Sequence, residues 1–288
     1  MSVLNWERAK NILIVFFLLI NIILTSILIF INHTSASVTE ENIYSVCRLL
    51  DKNSIELINE DIIPSKKFKN QSFNLNMLSL NNDKILKDWL GNGYRCTEEN
   101  LSKHSFVYTN KNKHLKINKT FIDYTLEKNA ALLAKKNEKE IENFLWAKLK
   151  KFGFSSKKYY FRKVWFENGL YNGIISPLAE KTKIVGVELK VSADKEEIIG
   201  ISGNCFTYSD TEIFKTDDLI DITAVLSNLI YLPEKPTSPI NQIAYAGYVP
   251  QEYKENKSVT AIPVYIISCI DSSEYIYDAR TGSLLTQY

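Results

Sequence analysis

Apolar residues fill Ile12 to Ile31 almost without interruption, and beyond that run the chain alternates between two shorter periods. Only Asn21, Thr25 and Ser26 are polar among these twenty residues, and none is charged. At 1.5 Å per residue such a run spans about 30 Å, the thickness of a bilayer core. It exceeds the length of a cleaved signal's apolar region, so the pattern predicts a single-pass anchor. Arg8 and Lys10 precede the run, while Glu40 and Glu41 follow it with no basic residue before Arg48, which predicts a cytoplasmic N-terminus and a cell-membrane location with the bulk outside. Trp6, just before the run, is a candidate interface anchor. Asn21 lies mid-run, with Thr25 four residues on and Leu18 three back, so Leu18, Asn21 and Thr25 share a face that predicts contact with a partner helix.

Downstream, ENIYSVCRLLDKN places Ile43, Val46, Leu49 and Leu50 on one helical face, and the strand-like SIELIN follows. FNLNMLSL, HSFVYTN and HLKIN alternate as short strands around a helical DKILKDWL. NEKEIENFLWAKLKKFG carries a stripe of Ile141, Phe144, Leu145, Leu149 and Phe152, with glutamates early, lysines late and Gly153 at the stop, which predicts a strong helix. The period then becomes two. YYFRKVWF and LYNGIIS flank the turn Glu167–Gly169, and KIVGVELKV and EEIIGISGNCFTYS flank Ser192–Lys195, predicting hairpins. Asp217 and Asp218 are candidate caps for a helix through LIDITAVLSNLIYL. NQIAYAGYV, AIPVYIISCI and EYIYDARTGSLL close the chain as strands. The predicted fold class is α+β: one N-terminal transmembrane helix followed by two small α+β units with antiparallel sheets. The divisions are 1–32 for the anchor, 33–152 and 153–288 for the two units.

The net charge of +2 implies no polyanionic partner such as nucleic acid, and 45% apolar residues suffice for a substantial core. Cys47, Cys96, Cys205 and Cys269 form no metal-binding spacing, and either free thiols or any of three two-bridge pairings fit the sequence. His33, His104 and His114 are the only histidines. A Cys96–His104 thiol and base pair, or an acidic set of Asp271, Glu274 and Asp278, are the candidate catalytic groups. Adjacency alone does not support the first, and ordinary solvated strand charge accounts for the second. Lysines at 66, 67 and 69, and at 111, 113, 116 and 119, fit solvated loops. The aromatics Tyr159, Tyr160, Trp165, Phe166, Tyr171, Tyr275 and Tyr277 fit strand and core positions, with a peptide or glycan groove as the alternative. GNG at 91–93 lacks the spacing of a phosphate loop. These readings predict no enzyme, no cofactor and no metal.

Two groups of segments resemble a known family. LNWERAKNILIVFFLLINIIL is similar to the N-terminus of the YycI family, and ENIYSVCRLLDKN, SIELINEDIIP, GYVP and AIPVYIISCIDSSEYIYDARTGSLL agree with it. The last segment also resembles the end of a PepSY-type module. The resemblance implies an extracytoplasmic regulator that contacts a WalK (YycG)-like sensor histidine kinase and a YycH-like protein, in a two-component system controlling cell-wall metabolism. An envelope enzyme inhibitor or a wall-ligand-binding protein is the alternative that a PepSY-like module implies.

Overall fold

A computed structural model of the chain describes residues 10, 13–25, 38–65, 68–78, 82–100, 104–213 and 219–288. Helix α1 covers residues 13–25, and α2 to α5 are Glu40–Lys52, Asp83–Leu90, Glu138–Leu149 and Ile222–Asn228. The strands are β1 Gln71–Met77, β2 Arg95–Asn100, β3 Ser105–Asn110, β4 Lys113–Asn118, β5 Phe121–Leu126, β6 Tyr159–Glu167, β7 Leu170–Ala179 and β8 Thr182–Val185. They continue with β9 Leu189–Ala193, β10 Ile198–Asn204, β11 Phe206–Ile213, β12 Ile240–Tyr248, β13 Ser258–Cys269, β14 Glu274–Asp278 and β15 Leu284–Gln287.

Two expectations are corrected here. The fold is not an anchor followed by two small antiparallel units, because the fifteen strands join one mixed sheet with few helices. The β12–β8 pair is parallel, a long-range pairing that local alternation does not reveal. The membrane placement falls as well. Among the described residues no helix is long and apolar enough to cross a membrane.

The described chain divides into two compact units, each assembled from separated segments. The smaller comprises residues up to Phe68, Leu219–Ile243 and Ser268–Ser273. Within it α2 packs on α5, burying Val46, Cys47 and Leu50 from α2 and Ile222, Val225 and Leu226 from α5. The Thr39 hydroxyl caps α2 by accepting from Asn42 N–H, at 3.3 Å. Helix α5 is capped by Asp221, whose carboxylate accepts from Thr223 N–H at 2.9 Å. Asp217 and Asp218, the expected caps, lie outside the described residues. SIELIN contributes only an isolated parallel bridge, Leu57 to Ile240.

The larger unit holds most of the sheet, and Gly153 lies within it. Its main core forms between α3, α4 and one face of strands β3 to β7, β9 and β10, with Trp89, Leu115, Tyr124, Leu145, Leu149 and Val191 fully buried or nearly so. The alternation of β4 and β5 sends Leu115 and Ile117, then Ile122 and Tyr124, into this core. Helix α4 lays Ile141, Leu145 and Leu149 over the same face, then ends in a short 3₁₀ turn and Gly153 at φ +83°. That left-handed conformation is one that glycine adopts without strain. Trp89 anchors the α3 side, stacking edge-on to Phe152 and Tyr124 and donating its indole N–H to the Phe152 carbonyl at 3.2 Å. The β6–β7 hairpin turns at Asn168 and Gly169, both with positive φ, as the Asn-Gly pair predicts.

Candidate functional site

Among the titratable side chains that the larger unit brings together are Arg162, Glu188 and Glu274. Arg162 stands at an irregularity in β6 between Phe161 and Lys163, where the register with β7 shifts. A bulge of this kind re-aims a side chain out of strict alternation. The guanidinium Nη1–H donates to Glu188 and Nη2–H donates to Glu274. It also lies 5.8 Å from the centroid of the Tyr288 ring. Burial works against its charge, but the two carboxylates outweigh that cost and raise its pKa above the ordinary guanidinium value.

The backbone fixes both acids. The Glu188 carbonyl accepts from Asn204 N–H at 3.1 Å, and Glu274 exchanges two backbone hydrogen bonds with Tyr288. Gly203 makes the first approach possible, since a Cβ there, at φ +137°, would sit 2.1 Å from the Glu188 carbonyl oxygen. Nearby, burial pushes the Lys254 pKa down while Glu188 pulls it up. Burial, followed by Tyr288, pushes the Tyr248 hydroxyl up to about 12. Two carboxylates side by side form the layout of an acid and base pair, but here one cation takes an oxygen of each. The arrangement ties β6, the approach to β9 and β14 together as a charged clasp. Sequence reasoning named neither Arg162 nor Glu188. The signal was the polar doublet Arg162-Lys163, which breaks the alternation of YYFRKVWF and marks the bulge.

The second feature is the sheet face opposite the α3 and α4 core. Adjacent pairings carry a continuous row across six strands: His114, Thr125, Gly200, Ser192, Asn172 and Trp165. A parallel row two residues along each strand reads Lys116, Asp123, Ser202, Lys190, Ile174 and Lys163. Every member of both rows is exposed or half-buried, while the intervening Leu115, Tyr124, Ile201, Val191 and Val164 are buried.

The structure separates most of the groups that the sequence singled out. Leu18, Asn21 and Thr25 lie on α1 with exposed side chains, and the Thr25 hydroxyl donates to the Asn21 carbonyl of the same helix at 2.7 Å. Trp6, His33, Lys66 and Lys67 lie outside the described residues. Cys96 pairs with Tyr108 and His104 precedes Ser105, which puts them four residues apart along β3, roughly 13 Å. All four cysteines are free thiols. The acidic set disperses as well. Asp271 caps a turn through Ser273, Glu274 joins the clasp, and Asp278 is bound by Arg280 at 2.8 Å. Solvated strand charge is the wrong description of Asp278, which is buried together with Tyr275 and Tyr277. Lys111, Lys116 and Lys119 are exposed, and Lys119 pairs with Glu255. Tyr159, Tyr171, Tyr275 and Tyr277 are buried, Phe166 packs against the main core, and Tyr160 donates to the Ile184 carbonyl at 3.3 Å. Trp165 instead lies on the open face. Among the described residues no group of three or more metal-ligating side chains occurs.

No protein-family model matches the chain, and a comparison with curated proteins finds no match. Among solved structures the chain is similar to an uncharacterized protein from Eubacterium rectale, at 11% identity and TM-score 0.44 over 78% of this chain and 88% of that one. It is also similar to the YpeB C-terminal domain of Bacillus megaterium, at 10% identity and TM-score 0.44 over 74% of this chain and 97% of that one.

Proposed function

We propose that this chain is a non-catalytic regulatory protein that works by surface contact and modulates a sensor histidine kinase, alone or with a YycH-like companion. The kinase partner rests on the YycI resemblance of the quoted segments. The contact mechanism rests on one structural observation: the sheet of the larger unit is closed by a core on one side and open on the other, across six adjacent strands. Such a face offers area and register for recognition. The two carboxylates that come together are both engaged by Arg162, which supports a structural use of these acids over proton transfer. The proposal calls on no membrane anchor.

Co-purification of the full chain with a candidate WalK-like kinase and YycH-like protein tests the reading. Stable association with either supports it. Failure to associate with both, together with turnover of a peptide or glycan substrate, overturns it in favour of an enzyme.

A further inference from the structure

The connector from β5 to α4, residues 127–137, has neither helix nor strand, and its backbone is tied down unevenly. At its start the Glu127 N–H donates to the Asn112 carbonyl at 2.8 Å, and the Glu127 carbonyl accepts from the Asn112 amide at 3.0 Å. Further on, the Ala131 N–H donates to Asp194 at 3.1 Å, and the Ala131 carbonyl accepts from Lys195 N–H at 3.0 Å. Leu133 N–H then donates to the Gly169 carbonyl at 2.8 Å, and the Ala134 carbonyl accepts from the Tyr171 hydroxyl at 2.7 Å.

The anchoring stops there. Among the described residues neither Lys135 nor Lys136 forms an ion pair or a backbone hydrogen bond. Every residue from Ala134 to Glu140 is exposed. Asn137 is extended, at φ −71° and ψ 160°, and caps α4 by accepting from Glu140 N–H at 2.9 Å. Two bare lysines therefore sit side by side on irregular backbone, between a pinned segment and a helix.

Other described lysine pairs are held by their backbone. Lys150 and Lys151 lie in the 3₁₀ turn that ends α4. In the turn at Lys157 and Lys158, the Lys158 N–H donates to the Ser155 carbonyl at 3.0 Å and its carbonyl accepts from Leu178 N–H at 2.8 Å. Lys235 has irregular backbone but precedes Pro236, whose fixed φ and missing N–H oppose docking as an extended strand.

The structure on either side of the connector is interleaved. Strand β5 pairs with β10, β1 pairs with β11 and β13, and Leu115 and Tyr124 share a core with Leu145 and Val191. A break at the lysines leaves all of these contacts in place.

We propose that Lys135-Lys136 is an endoproteolytic processing site, recognised by a protease whose acidic pocket accepts a lysine side chain. Water adds across the Lys135–Lys136 amide, leaving a carboxylate on Lys135 and an amine on Lys136, and the two fragments stay folded together. The proposal is independent of the kinase reading.

The test incubates the native full chain with trypsin and, separately, with a glutamyl endoprotease, following each bond by mass spectrometry. Each rate is compared with that on an isolated peptide of residues 129–143, so that protection by the fold is read directly. Among bonds between described residues, trypsin should cut after Lys135 or Lys136 first, at least tenfold faster than elsewhere. Glu138 and Glu140 are also exposed but lie in α4, so cleavage there should be at least tenfold more protected. The two fragments should then co-elute in native size exclusion. Lys135→Gln combined with Lys136→Gln should abolish the cut without changing the melting temperature, and Lys150→Gln combined with Lys151→Gln should leave the cut in place. A faster tryptic cut elsewhere among the described residues, or equal protection at Glu138, overturns the site. Separation of the fragments overturns the claim that the nicked chain stays folded.

Discussion

Lys128 Nζ lies 2.9 Å from the carboxylate of Asp194, a side chain with no solvent exposure. The same carboxylate accepts backbone N–H groups from Ala131 at 3.1 Å and from Glu196 and Glu197 at 2.9 Å. It thereby closes the β9–β10 turn and pins the loop before α4. Burial alone would raise the Asp194 pKa, but the hydrogen bonds from Glu197, Lys128, Ala131 and Glu196 overcome it and lower the value to about 2. The ordinary value is about 3.9. A depressed folded-state pKa contributes stability that is present above about pH 4 and is lost as pH falls toward 2, here roughly 2 kcal/mol. Melting temperatures measured from pH 6 to pH 2 should show this loss in the wild type. In Asp194→Asn the amide would face N–H donors, so that variant should be less stable by about 2 kcal/mol near neutral pH and should lack the acid-linked part of the loss.

Gly203 and Gly200 are two glycines of one strand with opposite constraints. At Gly203 a side chain would meet the Glu188 carbonyl in a strained backbone, whereas at Gly200 the nearest atom to a Cβ is the Tyr124 carbonyl oxygen at 3.8 Å. Gly203→Ala should cost more than about 2 kcal/mol. Gly200→Ala should change stability by no more than about 0.5 kcal/mol. Urea midpoints of the two variants measure the contrast.

Removing the cation of the clasp leaves two carboxylates facing each other. Arg162→Met should therefore destabilise by about 2 kcal/mol, less than a fully buried pair because all three groups are roughly a quarter exposed. Adding Glu188→Gln and Glu274→Gln to Arg162→Met should recover at least half of the loss. A triple variant no more stable than the single one would show that Arg162 contributes packing and not charge.

Local features were legible in the sequence and long-range ones were not. DKILKDWL is α3 residue for residue, and the Asn168-Gly169 turn and the Gly153 stop lie where their chemistry requires them. Strand β2, RCTEEN, escaped notice because all six of its residues are exposed and no alternation marks it. The single sheet escaped notice because it depends on pairings such as β12 with β8, for which side-chain period carries no information. The clasp joins Arg162 to residues 26 and 112 positions away, so only its bulge signal was local. The twenty-residue apolar run predicts a span by composition, whereas among the described residues no helix is long and apolar enough to cross a membrane.

Regulation by contact has a direct kinetic test. It is the autophosphorylation of a purified WalK-like kinase, followed with and without stoichiometric full-length chain. The chain should change the rate at least twofold in either direction, and Thr125→Trp together with Ser192→Trp, which fills the open face without entering the core, should reduce the change. An autophosphorylation rate identical with and without the chain, both alone and with the YycH-like companion present, would contradict it.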